Sequence, residues 1–463
     1  MAKHFSNDTA FKSFKLMRNV MSVLLLIFIV VPVTAQDTTR LSLLFAGDVM
    51  GHDSQIAAAY DQARKDYDYE DCFARIKPYI QSADVAIANL EVTLAGPPYK
   101  GYPQFSSPDA LALTLKSAGF DALVTANNHC VDRGRKGLER TVMMLDSLKI
   151  PHTGTFVDSA DRQKNYPLIL HKNGFTLALL NYTYGTNGLP VYQPSIVNRI
   201  DTTQIRKDLA KAKEQKPDII IVFTHWGVEY QSLPNGAQKD VANFCLNKGA
   251  NLVIGAHPHV IQPMEWYKDQ NQFVAYSLGN FVSGQRKRYT DGGAMAYLEF
   301  SKVIFNNDST VTTLDSTGYY LQWIYKSGKK YYIVPVQEDE APSFVKDQVA
   351  REAYRQFVAD SHTLYKKYNK HVSEISGTPA DSVVRYRVVL MKTDSNEDPW
   401  KLLTSPHHYT WGIDRDVDED GKILWLTGNF ETREKADQYA LRYLTQHKDA
   451  HVVKYVNGRK VND

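Results

Sequence analysis

Between residues 41 and 300 the chain alternates short apolar runs with amphipathic stretches of helical character. The apolar runs read LSLLFAG, VAIANLEV, ALVTANN, LALLNYTYG, IIIVFTHWG, LVIGAH and VAYSLGNF, each of strand length and each closed by small or polar residues. Between them, residues 107–118, 137–149 and 205–214 predict helices. Strand–helix alternation implies an α/β domain whose sheet is covered by helices. In such a domain ligands collect at the carboxyl ends of the strands.

The pattern changes after residue 300. Residues 302–342 are more irregular, include Tyr331-Tyr332-Ile333-Val334, and predict further strands that finish a domain spanning 36–342. Residues 343–383 read as a polar helical linker, broken at Gly377-Thr378-Pro379. Residues 384–463 form a last unit, with the strands VRYRVVLMK, LWLTGNF and HVVKYV and a helix over 431–446. That is a small α/β module.

The start of the chain has a different character. Lys3, Lys12, Lys15 and Arg18 precede an almost wholly apolar stretch over 20–31, and Val33-Thr34-Ala35 offers small residues for cleavage. Residues 1–35 therefore read as a secretory signal, which implies an exported protein, periplasmic or associated with the cell envelope, with no transmembrane span after cleavage. The four basic residues and one Asp of this segment account for the whole formal charge of +3, so the remainder is near neutral. A nucleic-acid partner gets no support from that balance. At 43% hydrophobic and 23% charged, the composition is that of a folded protein. Cys72, Cys130 and Cys245 are too few for a disulfide framework, although one pair could bond.

Chemistry gathers where the strands end. The first delivers Asp48 after Gly47, the second Asn89 and Glu91, the third Asn127, Asn128 and His129 with Asp132 close behind. The fourth gives His225 followed by Glu229, the next His257 and His259, and the last Asn280. Any one of these reads as a cap or turn residue. Together Asp48, Glu91, Asn128, His225, His257 and His259 make a mixed oxygen and imidazole set without thiolate, suited to Zn²⁺, Mn²⁺, Fe²⁺ or Mg²⁺. With His129 nearby as proton donor, the set is what metal-assisted hydrolysis requires.

The order of motifs, GDVMG (47–51), ANLEVTL (88–94), TANNHCVDRG (125–134), NYTYGTN (181–187), FTHWGVEY (223–230), GAHPHVIQP (255–263) and YSLGNFV (276–282), resembles the bacterial capsule-synthesis family of CapA type. That family is associated with poly-γ-glutamate synthesis and is similar in fold to calcineurin-like metallophosphoesterases. The resemblance covers about residues 41–300. It implies a four-layer αββα metallophosphoesterase-like sandwich with one or two divalent ions at the edge of the paired sheets. By the same resemblance Asp48 and His259 hold one metal, Asn128, His225 and His257 a second, and Glu91 stands at the bridging position. His129, backed by Asp132, takes the place of the general acid. Asn89, Tyr182, Tyr184, Glu229 and Asn280 are candidates for substrate contact. Two departures stand out: Asp48-Val49-Met50 lacks the histidine of the phosphoesterase Asp-x-His, with His52 the nearest replacement, and the second motif reads Asn89-Leu90-Glu91 where the phosphoesterases have Gly-Asp. The final module is similar to SPOR-type peptidoglycan-binding repeats, in YRVVL and in GNFETREKADQYALRYL followed by DAHVVKYVNGR.

Two functions follow. One is an exported metal-dependent hydrolase acting on a cell-envelope or capsule polymer, through a γ-glutamyl amide or a phosphoester. The other is a non-catalytic protein that holds such a polymer, poly-γ-glutamate-like or peptidoglycan, during assembly. The missing first-motif histidine favours the second, and the intact Asn128-His129 and His257-x-His259 pairs favour the first. A nucleotidase would need a base-stacking pocket, and no aromatic pair in the sequence identifies one.

Overall fold

The computed structural model describes residues 35–305, 309–377, 379, 384–393, 414–417, 422–430, 432–441, 450–456 and 459–461. The expected signal segment lies outside the described residues except for Ala35, and so does most of 394–421.

Two sheets face each other. The chain begins the first with β1 (Ala35–Val49), β2 (Val85–Leu90), β3 (Ala122–Val124) and β4 (His152–Thr153), all parallel. It then builds the second from β5 (Leu168–Lys172), β6 (Phe175–Thr183), β7 (Ile219–His225), β8 (Leu252–Ala256), β9 (Ile261–Tyr267) and β10 (Gln272–Leu278). It returns to the first with β11 (Asn280–Val282), β12 (Gly292–Phe305), β13 (Thr310–Ser327) and β14 (Lys330–Pro335). The first sheet runs β14-β13-β12-β1-β2-β3-β4 with β11 beside β1, and the second runs β9-β10-β8-β7-β6-β5.

Period-two alternation sorts the side chains of the central strands into two cores. Leu41, Leu43, Phe45, Val85 and Ile87 of the first sheet meet Leu177, Leu179, Ile219, Ile221, Phe223 and Ile254 of the second in one buried core. The opposite faces are covered by helices. Leu44, Ala86, Ala88 and Leu123 pack with residues of α1 (Asp53–Ala59), α2 (Ala110–Ala118) and α3 (Gly134–Ser147). Ala178, Leu180, Ile220, Val222 and Val253 pack with α4 (Thr202–Glu214) and α5 (Gly236–Asn247). The result is a four-layer αββα sandwich.

The three expected helices are present, with boundaries moved by about a turn or less. Helix α5 was not expected, although Asn235 and Gln238 form a capping box at its start that marks it in the sequence. Within 343–383, expected as a linker, residues 348–374 are built into the domain instead, and 378 and 380–383 lie outside the described residues. Helix α6 (Gln348–Tyr368) places Tyr354, Phe357, Val358 and Tyr365 on one stripe, and all four join the core between the sheets. Strand β15 (Ser373–Glu374) then pairs with β13. The polar majority on the other face of α6 hid this stripe.

The C-terminal unit is a five-stranded sheet of its own. It is built from β16 (Val384–Thr393), β17 (Asp414–Val417), β18 (Ile423–Phe430), β19 (His451–Val456) and β20 (Arg459–Val461), in the order β17-β18-β16-β19-β20. Helix α7 (Arg433–Leu441) lays Ala436, Tyr439 and Ala440 on Val388, Leu390 and Phe430. Cys72, Cys130 and Cys245 are buried free thiols.

Candidate metal centre

The carboxyl ends of both sets of parallel strands meet at one edge of the sandwich. In the second sheet Thr183, His225 and Ala256 are in register, and His225 lies on the same face as Phe223, toward the opposite sheet. In the first sheet simple alternation would turn Asp48 outward with Leu44 and Ala46. A bulge at Gly47 prevents this: Ala46 pairs with Ala88, Asp48 with Asn89, and the extra residue brings the Asp48 carboxylate beside the inward-facing amide of Asn89. Only glycine fits at position 47, because a Cβ there would stand 2.0 Å from the carbonyl oxygen of Gly279.

Gly279 is itself a hinge between the sheets. At φ +69 it ends β10 of the second sheet and starts β11 of the first, whose Asn280 pairs with Asp48. The sequence YSLGNF, read as one strand, is two strands in different sheets.

Six expected ligands converge here. Asp48, Glu91 and His259 form one group and Glu91, His225 and His257 a second, with the donor atoms of each lying within 4.8 Å of one another. Glu91 belongs to both. Its Oε1 is 3.4 Å from His225 Nε2 and 3.9 Å from His259 Nε2. Asp48 Oδ2 lies 3.2 Å from His259 Nδ1 and accepts the backbone N–H of His257 at 3.2 Å. The sixth residue, Asn128, has its Oδ1 2.9 Å from His225 Nε2. His257 and His259 both carry left-handed backbone, φ +99 and +57, a conformation that side-chain-bearing residues adopt rarely and that concentrates at functional sites.

The electrostatics of this cluster are those of a binding site. Burial raises the Glu91 carboxyl well above its ordinary range, and the neighbouring Asp48 adds to the effect. Burial acts on Asp48 in the same sense, but hydrogen bonds with His259 and Asn89 outweigh it and hold that carboxyl low. Burial and the adjacent His259 push His257 down to about 3, and burial with the neighbouring histidines holds His225 well below its usual range. Both imidazoles are therefore neutral, as metal ligands must be. Both oxygens of Glu91, and Nδ1 of His257, are buried without a hydrogen-bond partner. Orphaned polar atoms in a dry interior are costly unless something else satisfies them. Converging carboxylate and imidazole donors without sulfur fit a divalent cation.

His129 stands at the rim of the cluster. Its Nδ1 is 2.7 Å from Asp132 Oδ2, which also accepts the backbone N–H of Phe105 at 2.7 Å. The Phe105 ring meets the imidazole edge-on, 4.6 Å between centroids. Burial raises the Asp132 carboxyl, and the bond to His129 opposes that rise.

The remaining expectations divide. Tyr184 lies over His257, 4.5 Å between ring centroids, and is 45% exposed, so it faces any ligand of the cluster. Glu229 is also exposed, one residue before Tyr230, whose N–H is held by the Pro258 carbonyl. Three candidates for substrate contact are corrected. Tyr182 points to the helical side of β6, fully buried, with its hydroxyl on Asp208 at 2.9 Å, because it shares the face of Ala178 and Leu180. Asn89 is buried inside the cluster and donates to Asp48 Oδ1 at 2.8 Å. Asn280 is buried too, with Oδ1 3.1 Å from His259 Nδ1 and Nδ2 donating to the Thr290 carbonyl. His52 does not replace the missing histidine: its Nδ1 accepts the N–H of Gly284 at 3.1 Å, at the start of α1.

Residues 42–285 match the family described as bacterial capsule synthesis protein PGA_cap. The chain is similar to the capsule biosynthesis protein CapA of Bacillus anthracis, 28% identical over 281 residues that make up 58% of this chain and 65% of that protein. It is likewise similar to the PGA biosynthesis protein CapA of Bacillus subtilis, 28% identical over 280 residues, 57% of this chain and 68% of that one. The match thus spans about two thirds of the length of these relatives. Among solved structures, the NAD nucleotidase (NadN) of Haemophilus influenzae aligns with a TM-score of 0.37 and 13% identity, covering 74% of this chain and 58% of that one.

Proposed function

From its membership of the bacterial capsule synthesis protein family PGA_cap, to which this chain belongs, we propose that it is an exported metal-dependent hydrolase of a cell-envelope or capsule polymer, cleaving a γ-glutamyl amide or a phosphoester. The observation that carries this reading is the pair of buried donor groups sharing Glu91, with the His129–Asp132 couple at their rim.

In this reading Glu91, His225, His257 and the Oδ1 of Asn128 hold one divalent ion, and Asp48, Glu91 and His259 a second. A bound divalent cation supplies Lewis-acid polarisation of the group under attack, and this serves amides as well as phosphate esters. The protein's own groups do the rest. Asp132 ties up Nδ1 of His129 and leaves Nε2 to deliver a proton to the leaving atom. Phe105 fixes Asp132 through its backbone and His129 through its ring. Tyr184 screens the Glu91–His225–His257 group from bulk water. Residues 1–35 supply export, and the C-terminal sheet serves to hold the polymer.

The second reading is a non-catalytic polymer-binding protein for capsule assembly. What favours it is Met50, buried in the hydrophobic layer where a phosphoesterase carries a histidine, which leaves the Asp48 group with three donors. Elemental mass spectrometry on the purified protein separates the readings, with His257→Ala alongside. The hydrolase reading expects about one or two equivalents of Mn, Fe or Zn, lost in the variant, and, where two are bound, chelator release in two steps with the three-donor group emptying first. Protein that neither carries nor takes up metal would sink it.

A further inference from the structure

Asn127 is absent from the set of ligands and of proton-transfer residues, yet its side chain touches the backbone or partner of four of them, His129, Glu91, Asp48 and His225. It is completely buried, just beyond the end of β3. Its Oδ1 accepts the backbone N–H of His129 at 3.1 Å. Its Nδ2 donates to the carbonyl of Leu90, the residue before Glu91, at 2.8 Å, and to Asn89 Oδ1 at 3.3 Å.

These partners fix polarity as well as position. A backbone N–H can only donate and a backbone carbonyl can only accept, so the Asn127 amide has one permitted orientation. Because Asn127 then donates to Asn89 Oδ1, the Asn89 amide is also fixed and must turn its Nδ2 outward. That Nδ2 donates to Asp48 Oδ1 at 2.8 Å and lies 3.2 Å from His225 Nδ1. One amide therefore sets the Leu90–Glu91 peptide, the Asp48 carboxylate, the His225 ring and the amide end of His129.

We infer that Asn127 is a positioning residue that holds both ion groups and the proton-donating histidine in one register through a buried amide relay. This assignment rests on the proposed metal centre and adds a residue that no ligand pattern selects. Outer hydrogen-bond partners of metal ligands govern ligand orientation, and their loss costs roughly 10–100-fold in metal affinity.

The test uses Co²⁺ as the probe, with affinity read by titration calorimetry and ligand geometry by the visible absorption band. Asn127→Asp keeps volume but sets an oxygen against the Leu90 carbonyl and Asn89 Oδ1. Asn127→Ser, smaller and neutral, serves as the variant that folds if the first does not. Melting temperature is recorded for each. The expected result is Co²⁺ affinity weakened roughly 10–100-fold, with a changed absorption band, in whichever variants fold. A variant with a lower melting temperature but wild-type affinity and band would overturn the positioning role while leaving the metal centre standing. Wild-type protein that binds no Co²⁺ would overturn the metal centre and this assignment together.

Discussion

Glu91 Oε1 stands 3.4 Å from His225 Nε2, and neither oxygen of that carboxylate accepts a hydrogen bond from a described residue. A buried carboxyl without donors is destabilising in the metal-free protein, yet it is the donor common to both ion groups. Function and stability therefore pull in opposite directions at this position. Glu91→Met should raise the stability of metal-free protein by about 1–3 kcal/mol, the usual cost of an unsatisfied buried polar group. The same change should remove metal uptake. Denaturant unfolding of chelated protein beside metal analysis checks both, and a variant less stable than wild type would contradict the account.

His129 and Asp132 predict a different signature. His129→Asn should lower kcat on any substrate that wild type hydrolyses by roughly 10²–10⁴-fold, the range for losing a general acid. Metal content should stay at the wild-type level, because neither residue belongs to the two donor groups. Asp132→Asn should produce a smaller loss of kcat. Loss of metal in either variant would show that the rim and the cluster are not separable.

His52 gives a pH dependence with a definite sign. Burial depresses it to about 4 in the folded protein, against 6.5 for the unperturbed side chain. Above about 6.5 the ring is neutral whether or not the chain is folded, and the group contributes no slope. Between 6.5 and 4 the unfolded chain binds a proton that the folded one refuses, so stability falls as pH falls through that window. His52→Gln should flatten this part of the stability profile. Urea midpoints measured from pH 4 to 7 decide it, and an unchanged slope would rule His52 out as a contributor.

Helix α6 looks like a connector in sequence, but Phe357 sits in the core between the sheets. Phe357→Ala should cost about 3–5 kcal/mol in denaturant unfolding, as for a large buried aromatic. A cost below 1 kcal/mol would make the helix a peripheral attachment.

The layered fold and the clustering of the six strand-end residues were legible because each rests on a local signal. Apolar runs of strand length ended in polar residues, and parallel strands bring such ends to one edge. What could not be read depended on single-residue shifts of register. The bulge at Gly47 reverses the face of Asp48, and nothing in FAGDVM announces it. Tyr182 and Tyr184 are alike in the motif, but Tyr182 lies in β6 and faces the helices, while Tyr184 follows the strand and reaches the cluster. Asn89 and Asn280 were expected at the substrate from their place in the motifs at the strand ends. Here each turns one amide atom to a residue of the cluster, Asn89 Nδ2 to Asp48 and Asn280 Oδ1 to His259. The apolar stripe of α6 was visible at helical spacing and was outweighed by its charged majority.

The crossing at Gly279 has a consequence for how the molecule comes apart. Residues 272–282 contribute a strand to each sheet without an intervening loop, so the sandwich has a covalent stitch at the same edge where its ion donors meet. Asp48, Glu91 and Asn128 come from one side of that stitch, and His225, His257 and His259 from the other. A sheet that opened at this edge would drag β11 away from β1 and disassemble the donor groups in the same motion. The centre and the two-sheet core should therefore be lost as one cooperative event, with no populated state that keeps a native half.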